Sequence, residues 1–435
     1  MPNSPRNTTI LMNSMNAHMT RPGRGKALIN FLRVPAVQWL GLCLAFNALL
    51  ASDAPAQERA PSPDRSAAAA NVIRVGSARE IRTLAKASEI ARDGDIVEVD
   101  PGDYEKDNAV WTQNDLVIRG IGTRPRLVAN GAVAEGKGIF VIRGGNVTIE
   151  NLGFFGARVA DLNGAGIRLE RGRLNVVRCL FDGNENGILT SNDESIELRV
   201  VDSTFVNSGA GDGKSHNLYA GTIAVVDVRG SYFGPARGGH LLKSRAKATS
   251  VYYSRLTGEG GTSSYEMDLP NGGNFKAVGN LVQQGNQTEN RALIAFGAEG
   301  YRWPNNNAHI AFNTLVNDRS AGGEFVVIRS GPAETVISAV VSNNLLVGRG
   351  DLDVKGQAVV KNNVQARPTD FADPSKFDYR LRLGSALAGT AGPLRSFDKE
   401  HRPASEYRHP ASSVDLDGLT PVTPLSPGAF QRLAR

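Results

Sequence analysis

From about residue 115 onward, short apolar runs recur, and each is closed in the same way. A small or polar residue comes first, then one spacer, then an apolar residue. The closures are Cys179-Leu-Phe181, Ser203-Thr-Phe205, Ser231-Tyr-Phe233, Ser254-Arg-Leu256, Asn280-Leu-Val282, Asn313-Thr-Leu315 and Asn343-Asn-Leu345. Their last residues are 24, 28, 23, 26, 33 and 30 positions apart. A period in the twenties, stretched where loops intrude, marks a stacked repeat. No single turn of such a repeat has its own core, so each must bury its apolar face on its neighbours. Paired helices are missing, which excludes a helical solenoid, and a propeller blade needs about 40 residues. The pattern predicts an all-β chain: a right-handed, single-stranded parallel β-helix with about three short strands per coil. The Cys, Ser or Asn of each closure falls at a bend, where Asn side chains can stack as a ladder. Cys179 is expected there as a small buried filler.

The repeat has a lead-in. Val72 to Val75 alternates like a strand. Ser77 to Glu80 reads as a capping box, followed by a short helix with Ile81, Leu84, Ala85 and Ile90 on its apolar face. Gly94-Asp95 ends that helix, Ile96 to Val99 is a second strand, and Pro101 to Asp103 is a turn. The β-helix domain is placed at 71–390, with this capping helix at its start. Residues 391–435, rich in Pro and charge, are expected to run along the helix or off it.

Composition agrees with many short strands. The 435 residues include 48 Gly, and only 6% are aromatic. A charged fraction of 21% argues against wholesale disorder. The net charge of +6 suggests nucleic acid until its location is considered. Residues 1–56 hold Arg6, Arg21, Arg24, Lys26 and Arg33 against Asp53, which leaves the body near neutral and without a dense basic run. No nucleic-acid partner is expected. The same segment reads as a secretory signal, with a basic n-region, an apolar run over 34–50 and Ala54-Pro55-Ala56 as the cleavage site. That run is short for a membrane span. Residues 57–70 are a Pro/Ala-rich linker. The expected location is periplasmic or extracellular. Cys179 is the one cysteine left after cleavage, which leaves no internal disulfide.

Reactive side chains concentrate in Ser215–Gly273. His216, His240 and Tyr265 are spaced by 24 and 25 residues, as are Tyr219, Lys243 and Asp268. Aligned by the repeat, Arg168, Leu189, Tyr219, Lys243 and Asp268 occupy one outward strand position in successive coils. Stacked strands lie about 4.8 Å apart, so Tyr219, Lys243 and Asp268 should meet. By alternation Arg245 and Glu266 share that outward face. His216, His240 and Tyr265 fall on the other parity, either buried or at a bend. Asn271 begins an Asn-Gly-Gly turn beside them.

VGSAREIRTLAKASEIARDGDIVEVDPGDY (residues 75–104) and FDYRLRLGSA (377–386) resemble the cap and closing segment of the pectin-lyase-like β-helix superfamily. The likeness covers roughly residues 72–390. HLLKSRAKATSVYYSRL (240–256) resembles, more loosely, the lysine-bearing coil of the alginate lyase and chondroitinase B family. That resemblance implies Lys243 as a base. The Arg-His pair of that family's next coil is replaced by Tyr265-Glu266-Met267-Asp268.

Uronate β-elimination needs a neutralised carboxylate, a base for the C5 proton and an acid for the leaving oxygen. The candidates are Lys243 as base, with Tyr219, His216 or His240 as acid. Arg245 would neutralise the substrate, and Tyr265, Glu266, Asp268 and Asn271 would contact it. No cofactor is required, although Glu266 and Asp268 are also candidate Ca²⁺ ligands. The expected partner is an acidic polysaccharide. Two other readings stand beside the lyase: a non-catalytic glycan- or surface-binding β-helix, and a glycoside hydrolase using Glu266 and Asp268.

Overall fold

The structure is a computed structural model that describes residues 70–332, 335, 337–393, 401–418 and 424–434. The signal-peptide reading, and all but the last residue of the linker, lie outside the described residues. The chain is a right-handed parallel β-helix. Its strands stack into sheets of twelve, ten and eleven strands. Each coil contributes one strand to each sheet in turn: Leu218–Ala220 to the ten-stranded sheet, Val225–Arg229 to the twelve-stranded one, and Tyr232–Phe233 to the eleven-stranded one. Two short antiparallel pairs follow, Phe371–Asp373 with Asp378–Leu381 and Ser405–Arg408 with Ser412–Asp415. Among the described residues no helix is long and apolar enough to cross a membrane.

The interior is filled by the inward residues of each strand. Phe154, Phe181, Phe205 and Phe233 stack ring on ring with centroids 5.0, 4.6 and 4.7 Å apart. Leu256, Val282, Leu315 and Leu346 continue that column by register. The last member corrects the sequence alignment, which placed Leu345 there.

The reason lies in the corner between the twelve- and eleven-stranded sheets. A residue with positive φ precedes each ladder residue: Arg178 (51°), Asp202 (50°), Gly230 (57°), Tyr253 (48°), Gly279 (70°), Phe312 (54°), Asn343 (56°) and Asn362 (54°). The next side chain accepts the backbone N–H of the ladder residue one coil earlier. Cys179 donates to Ser203 Oγ at 3.1 Å, Ser203 to Ser231 Oγ at 3.2 Å, and Ser231 to Ser254 Oγ at 3.1 Å. Ser254 donates to Asn280 Oδ1 at 2.9 Å, Asn280 to Asn313 Oδ1 at 3.0 Å, Asn313 to Asn344 Oδ1 at 2.8 Å, and Asn344 to Asn363 Oδ1 at 3.2 Å. Asn tolerates the left-handed region and also stacks. In Asn343-Asn344 the first takes the former role and the second the latter.

The capping helix also differs from its sequence reading. It spans Leu84–Ile90, with Thr83 as N-cap, and buries Leu84 and Ala87. Ser77 to Glu80 form a turn instead, because the Gly76 N–H bonds back to the Ile81 carbonyl at 3.1 Å. Asp107 supplies the remaining cap, accepting from the N–H groups of Leu84 and Ala85 at 2.6 and 3.0 Å. That carboxylate comes from a later coil, beyond the reach of a local capping pattern.

Residues of the C-terminal part lie against the outside of the eleven-stranded sheet. Phe371, Tyr379 and Leu381 cover Leu281, Val316, Leu345 and Val347. The N–H groups of Ala404 and Ala429 bond to Tyr253 Oη and Thr314 Oγ1, both at 3.0 Å.

The ladder predicts a stability effect. Asn313→Ala strands the N–H of Asn280 and takes from its side-chain amide one of two acceptors, the Val251 carbonyl being the other. The loss should be about 3 kcal/mol, read as a lowered denaturant midpoint.

Candidate active site

The ten-stranded sheet carries the site. Leu189 pairs with Tyr219, Tyr219 with Lys243, Lys243 with Asp268, and Asp268 with Ala295. Tyr219 and Lys243 are partly buried on the outer face, while Asp268 is 2% exposed beneath them. The neighbours on either side of each, Leu218 and Ala220, Leu242 and Ser244, and Met267 and Leu269, are buried and hold the column outward.

Lys243 lies between two carboxylates, 3.4 Å from Asp268 Oδ2 and 3.3 Å from Glu299 Oε1. Its ammonium also stands 5.8 Å above the Tyr219 ring. Arg245 donates through Nε to Tyr219 Oη at 3.1 Å and through Nη1 to Glu299 Oε2 at 2.8 Å, and it bonds Asn271 Oδ1. Burial works against the Arg245 charge, but the bonds to Glu299 and Tyr219 outweigh it and raise its pKa. The same Arg245 bond draws the Glu299 carboxyl below its usual range.

The loop that follows the strand Ala292–Phe296 brings Glu299. Its backbone folds over the column. The Glu299 N–H bonds to the Pro270 carbonyl at 2.9 Å, and Trp303 Nε1 donates to the Arg245 carbonyl at 3.2 Å. Arg302 reaches back to Glu194 at 3.1 Å. Glu299 was missed from sequence because an inserted loop has no register to align. The signal was the 33-residue step between Val282 and Leu315 that contains it.

His216 and His240 form a second ladder at the leading edge of these strands. The His216 N–H donates to Asn186 Oδ1 at 2.9 Å, the His240 N–H to His216 Nδ1 at 2.9 Å, and the Tyr265 N–H to His240 Nδ1 at 3.2 Å. The two imidazoles stack at 4.6 Å, and Tyr265 tilts on His240 at 5.1 Å. Each Nδ1 lone pair is therefore engaged, which leaves the proton on Nε2. His216 is 1% exposed, and burial together with His240 holds its pKa well below the usual value. His240 directs Nε2 at Asp268 Oδ2, 3.3 Å away. Burial and the nearby Asp268 raise the Tyr265 pKa. Beyond Tyr265 a hollow of about 180 Å³ continues along the face, with Arg291, Glu324 and Arg329 among its lining.

Glu266 is not on the outer face. It lies one residue before Met267, which pairs with Leu242 and Ile294. That puts it level with Leu241 and Leu293, both fully buried in the core. Two successive residues point inward at this corner, so simple alternation fails there. Glu266 is fully buried, neither carboxyl oxygen has a hydrogen-bond partner, and burial raises its pKa well above normal. It cannot join Asp268 in holding Ca²⁺ or as an acid/base pair. Among the described residues no group of three or more His, Cys, Asp or Glu is arranged to hold a metal ion.

No family model matches the chain, and no curated protein matches its sequence. Solved structures similar to it include the pectate lyase Pel9A, at 11% identity and TM-score 0.41, covering 84% of this chain and 98% of that one. Another is ORF18 of Geobacillus virus E2, at 13% identity and TM-score 0.37, covering 64% of this chain and 55% of that one. A PL6 alginate lyase in complex with a trisaccharide is at 13% identity and TM-score 0.26, covering 73% of this chain and 81% of that one.

The buried Glu266 carboxyl makes stability pH-dependent. Its pKa is raised in the folded protein. Its contribution is therefore favourable below the unfolded value and is lost as pH rises toward the folded one. Glu266→Leu, matching Leu241 and Leu293, should raise stability at neutral pH by about 2 kcal/mol. The gain should shrink toward about pH 4, where the unfolded carboxyl also takes up its proton. Denaturant midpoints measured across pH check both statements.

Proposed function

We propose that the chain is a secreted or periplasmic polysaccharide lyase that cleaves a uronate-containing polymer by β-elimination. The groove would run along the outer face of the ten-stranded sheet. One observation carries the reading: the Glu299 carboxylate, 49% exposed on its loop, rests on Arg245 and Lys243 together. Two cations that hold a loop carboxylate can hold a substrate carboxylate in the same way.

In this reading the uronate carboxylate displaces Glu299 from Arg245, which neutralises it and makes the C5 proton more acidic. Lys243 then keeps only Asp268 as an acidic partner. Freed of Glu299, its amine faces the C5 proton as the base. Asp268 orients Lys243 and is itself held by His240. Tyr219 Oη accepts from Arg245, and its own proton is donated to no described residue. It is the group best placed to protonate the leaving oxygen. His216 is sealed beneath His240 and acts by holding the strand edge. Tyr265 and Asn271 flank the groove as sugar contacts, and Arg291 and Arg329 extend it. The signal-like pattern of the N-terminal sequence supports export.

Polygalacturonate, alginate and glycosaminoglycans, followed by the ultraviolet absorbance of an unsaturated uronate, test the reaction. Lys243→Ala and Tyr219→Phe should each lower kcat at least ~10²-fold; Tyr219→Phe should leave the unfolding midpoint unchanged, and Lys243→Ala should lower it, because the buried Asp268 loses its cation. Full turnover by Lys243→Ala would remove it as the base. Saturable binding with no product would make the groove a glycan-binding surface, and new reducing ends without the absorbance would make it a hydrolase. Glu299→Gln should lower KM roughly 2- to 5-fold, because an exposed pair of this kind competes only weakly with substrate.

A further inference from the structure

A larger cavity lies on a different face of the same coils. The C-terminal segments cover the outside of the eleven-stranded sheet at Leu281, Val316, Leu345 and Val347. At the edge of that cover, a cavity of about 600 Å³ opens between Tyr232 and Arg255 of the sheet and residues 376–380, 407–409 and 430–432. That volume suits one or two sugar-sized rings.

Its base is a buried arginine. Arg255 is 5% exposed and is the register neighbour of Leu281, so a cation stands where the next coil has an apolar residue. Its guanidinium lies 3.7 Å from the Phe377 ring centre and 4.9 Å from that of Tyr232. It donates to Glu259 Oε1 at 2.6 Å and to Thr257 Oγ1 at 3.1 Å, and its Nη1 is 3.5 Å from His409 Nδ1. Tyr232 Oη donates to the same Glu259 oxygen at 2.6 Å.

The lining is unbalanced in charge. Arg255, Lys376, Arg380, Arg408 and Arg432 face only Glu259 and Asp378. Arg380 is spent on Asp378 at 2.6 Å, and Arg432 is bound to the buried Glu406. Lys376 keeps a single surface contact with Asp373 at 3.1 Å and is 82% exposed, and Arg408 is exposed. Tyr232, Phe377 and Phe430 present partly exposed rings between these charges. The exposed rim cations, Arg408 and the Lys376 that keeps only a surface pair, call for an acid group, and ring faces call for the apolar face of a cyclic ligand. An inorganic anion would have no use for the rings, and a neutral glycan none for the charge.

We infer that this cavity is a binding site for an anionic sugar unit, carboxylated or phosphorylated, separate from the groove on the ten-stranded sheet. The acid group would meet Lys376 and Arg408 at the rim, and the sugar ring would lie against Phe377, Phe430 and Tyr232. The inference does not depend on the chemistry of the groove.

Titration calorimetry on the full chain tests it with digalacturonate, glucose 6-phosphate, cellobiose and inorganic phosphate. One or both acidic sugars should bind saturably, and which of them binds separates a carboxylate ligand from a phosphate one. Cellobiose should not bind, and inorganic phosphate should bind at least tenfold more weakly. The double variant K376E/R408E, at two exposed rim positions, should weaken binding at least tenfold with its unfolding midpoint unchanged. Lys243→Ala, in the groove, should leave unaltered the binding that K376E/R408E weakens. The site is overturned if neither acidic sugar binds, or if the rim variant binds as tightly as the parent. Loss of binding in Lys243→Ala would move it to the groove, and phosphate binding as tightly as the sugars would reduce it to an anion contact.

Discussion

The bond from a backbone N–H to the side-chain oxygen of the next coil underlies this structure. Parallel strands align their coils only if each corner turns at the same height. A corner needs a left-handed residue, and for Tyr253 or Phe312 that conformation is strained. The side chain that follows offsets the strain by satisfying an N–H that the turn has taken out of the sheets. Seven such bonds in line, from Cys179 to Asn363, hold the register from which everything on the outer faces follows. The histidine ladder repeats the device beside the Tyr219–Lys243 column.

Much of this was legible in the sequence because two periods coincide. Alternation along each strand says which residues face outward, and the coil length says which of them meet. Together they placed Arg168, Leu189, Tyr219, Lys243 and Asp268 in one column, which is the observed register. Failures occurred where one period lapses. Glu266 sits at a corner with two successive inward residues, so parity misassigned it. Asn343 and Asn344 are the same residue type in two different roles, so the closure slipped by one. Glu299 belongs to an inserted loop with no coil partner. The Asp107 cap reaches its helix across a coil. Each miss is a contact in three dimensions without a fixed sequence interval.

The site is electrostatically closed before any ligand arrives. Lys243 and Arg245 face Asp268 and Glu299, one buried carboxylate and one exposed. The buried one is held by the fold, whereas the exposed one is held only by its loop. Such a division lets a groove keep its cations oriented and still yield them to an incoming acid. The opposite imbalance at the second cavity, where cations outnumber carboxylates, is why the two faces should respond differently to the same ligand.

The corner ladder has a consequence for how such a protein changes over generations. A chain held this way is measured in whole coils. Residues can be added between corners, as in the loop bearing Glu299, without disturbing any neighbour. A single residue gained or lost inside a strand would instead turn one coil's face inside out. Duplicating a complete coil would leave the core intact. Placed between Tyr219 and Lys243, however, it would take them from adjacent coils to two coils apart. In this architecture the face that carries Tyr219 and Lys243 is the part least free to grow, and the loops beside it are the freest.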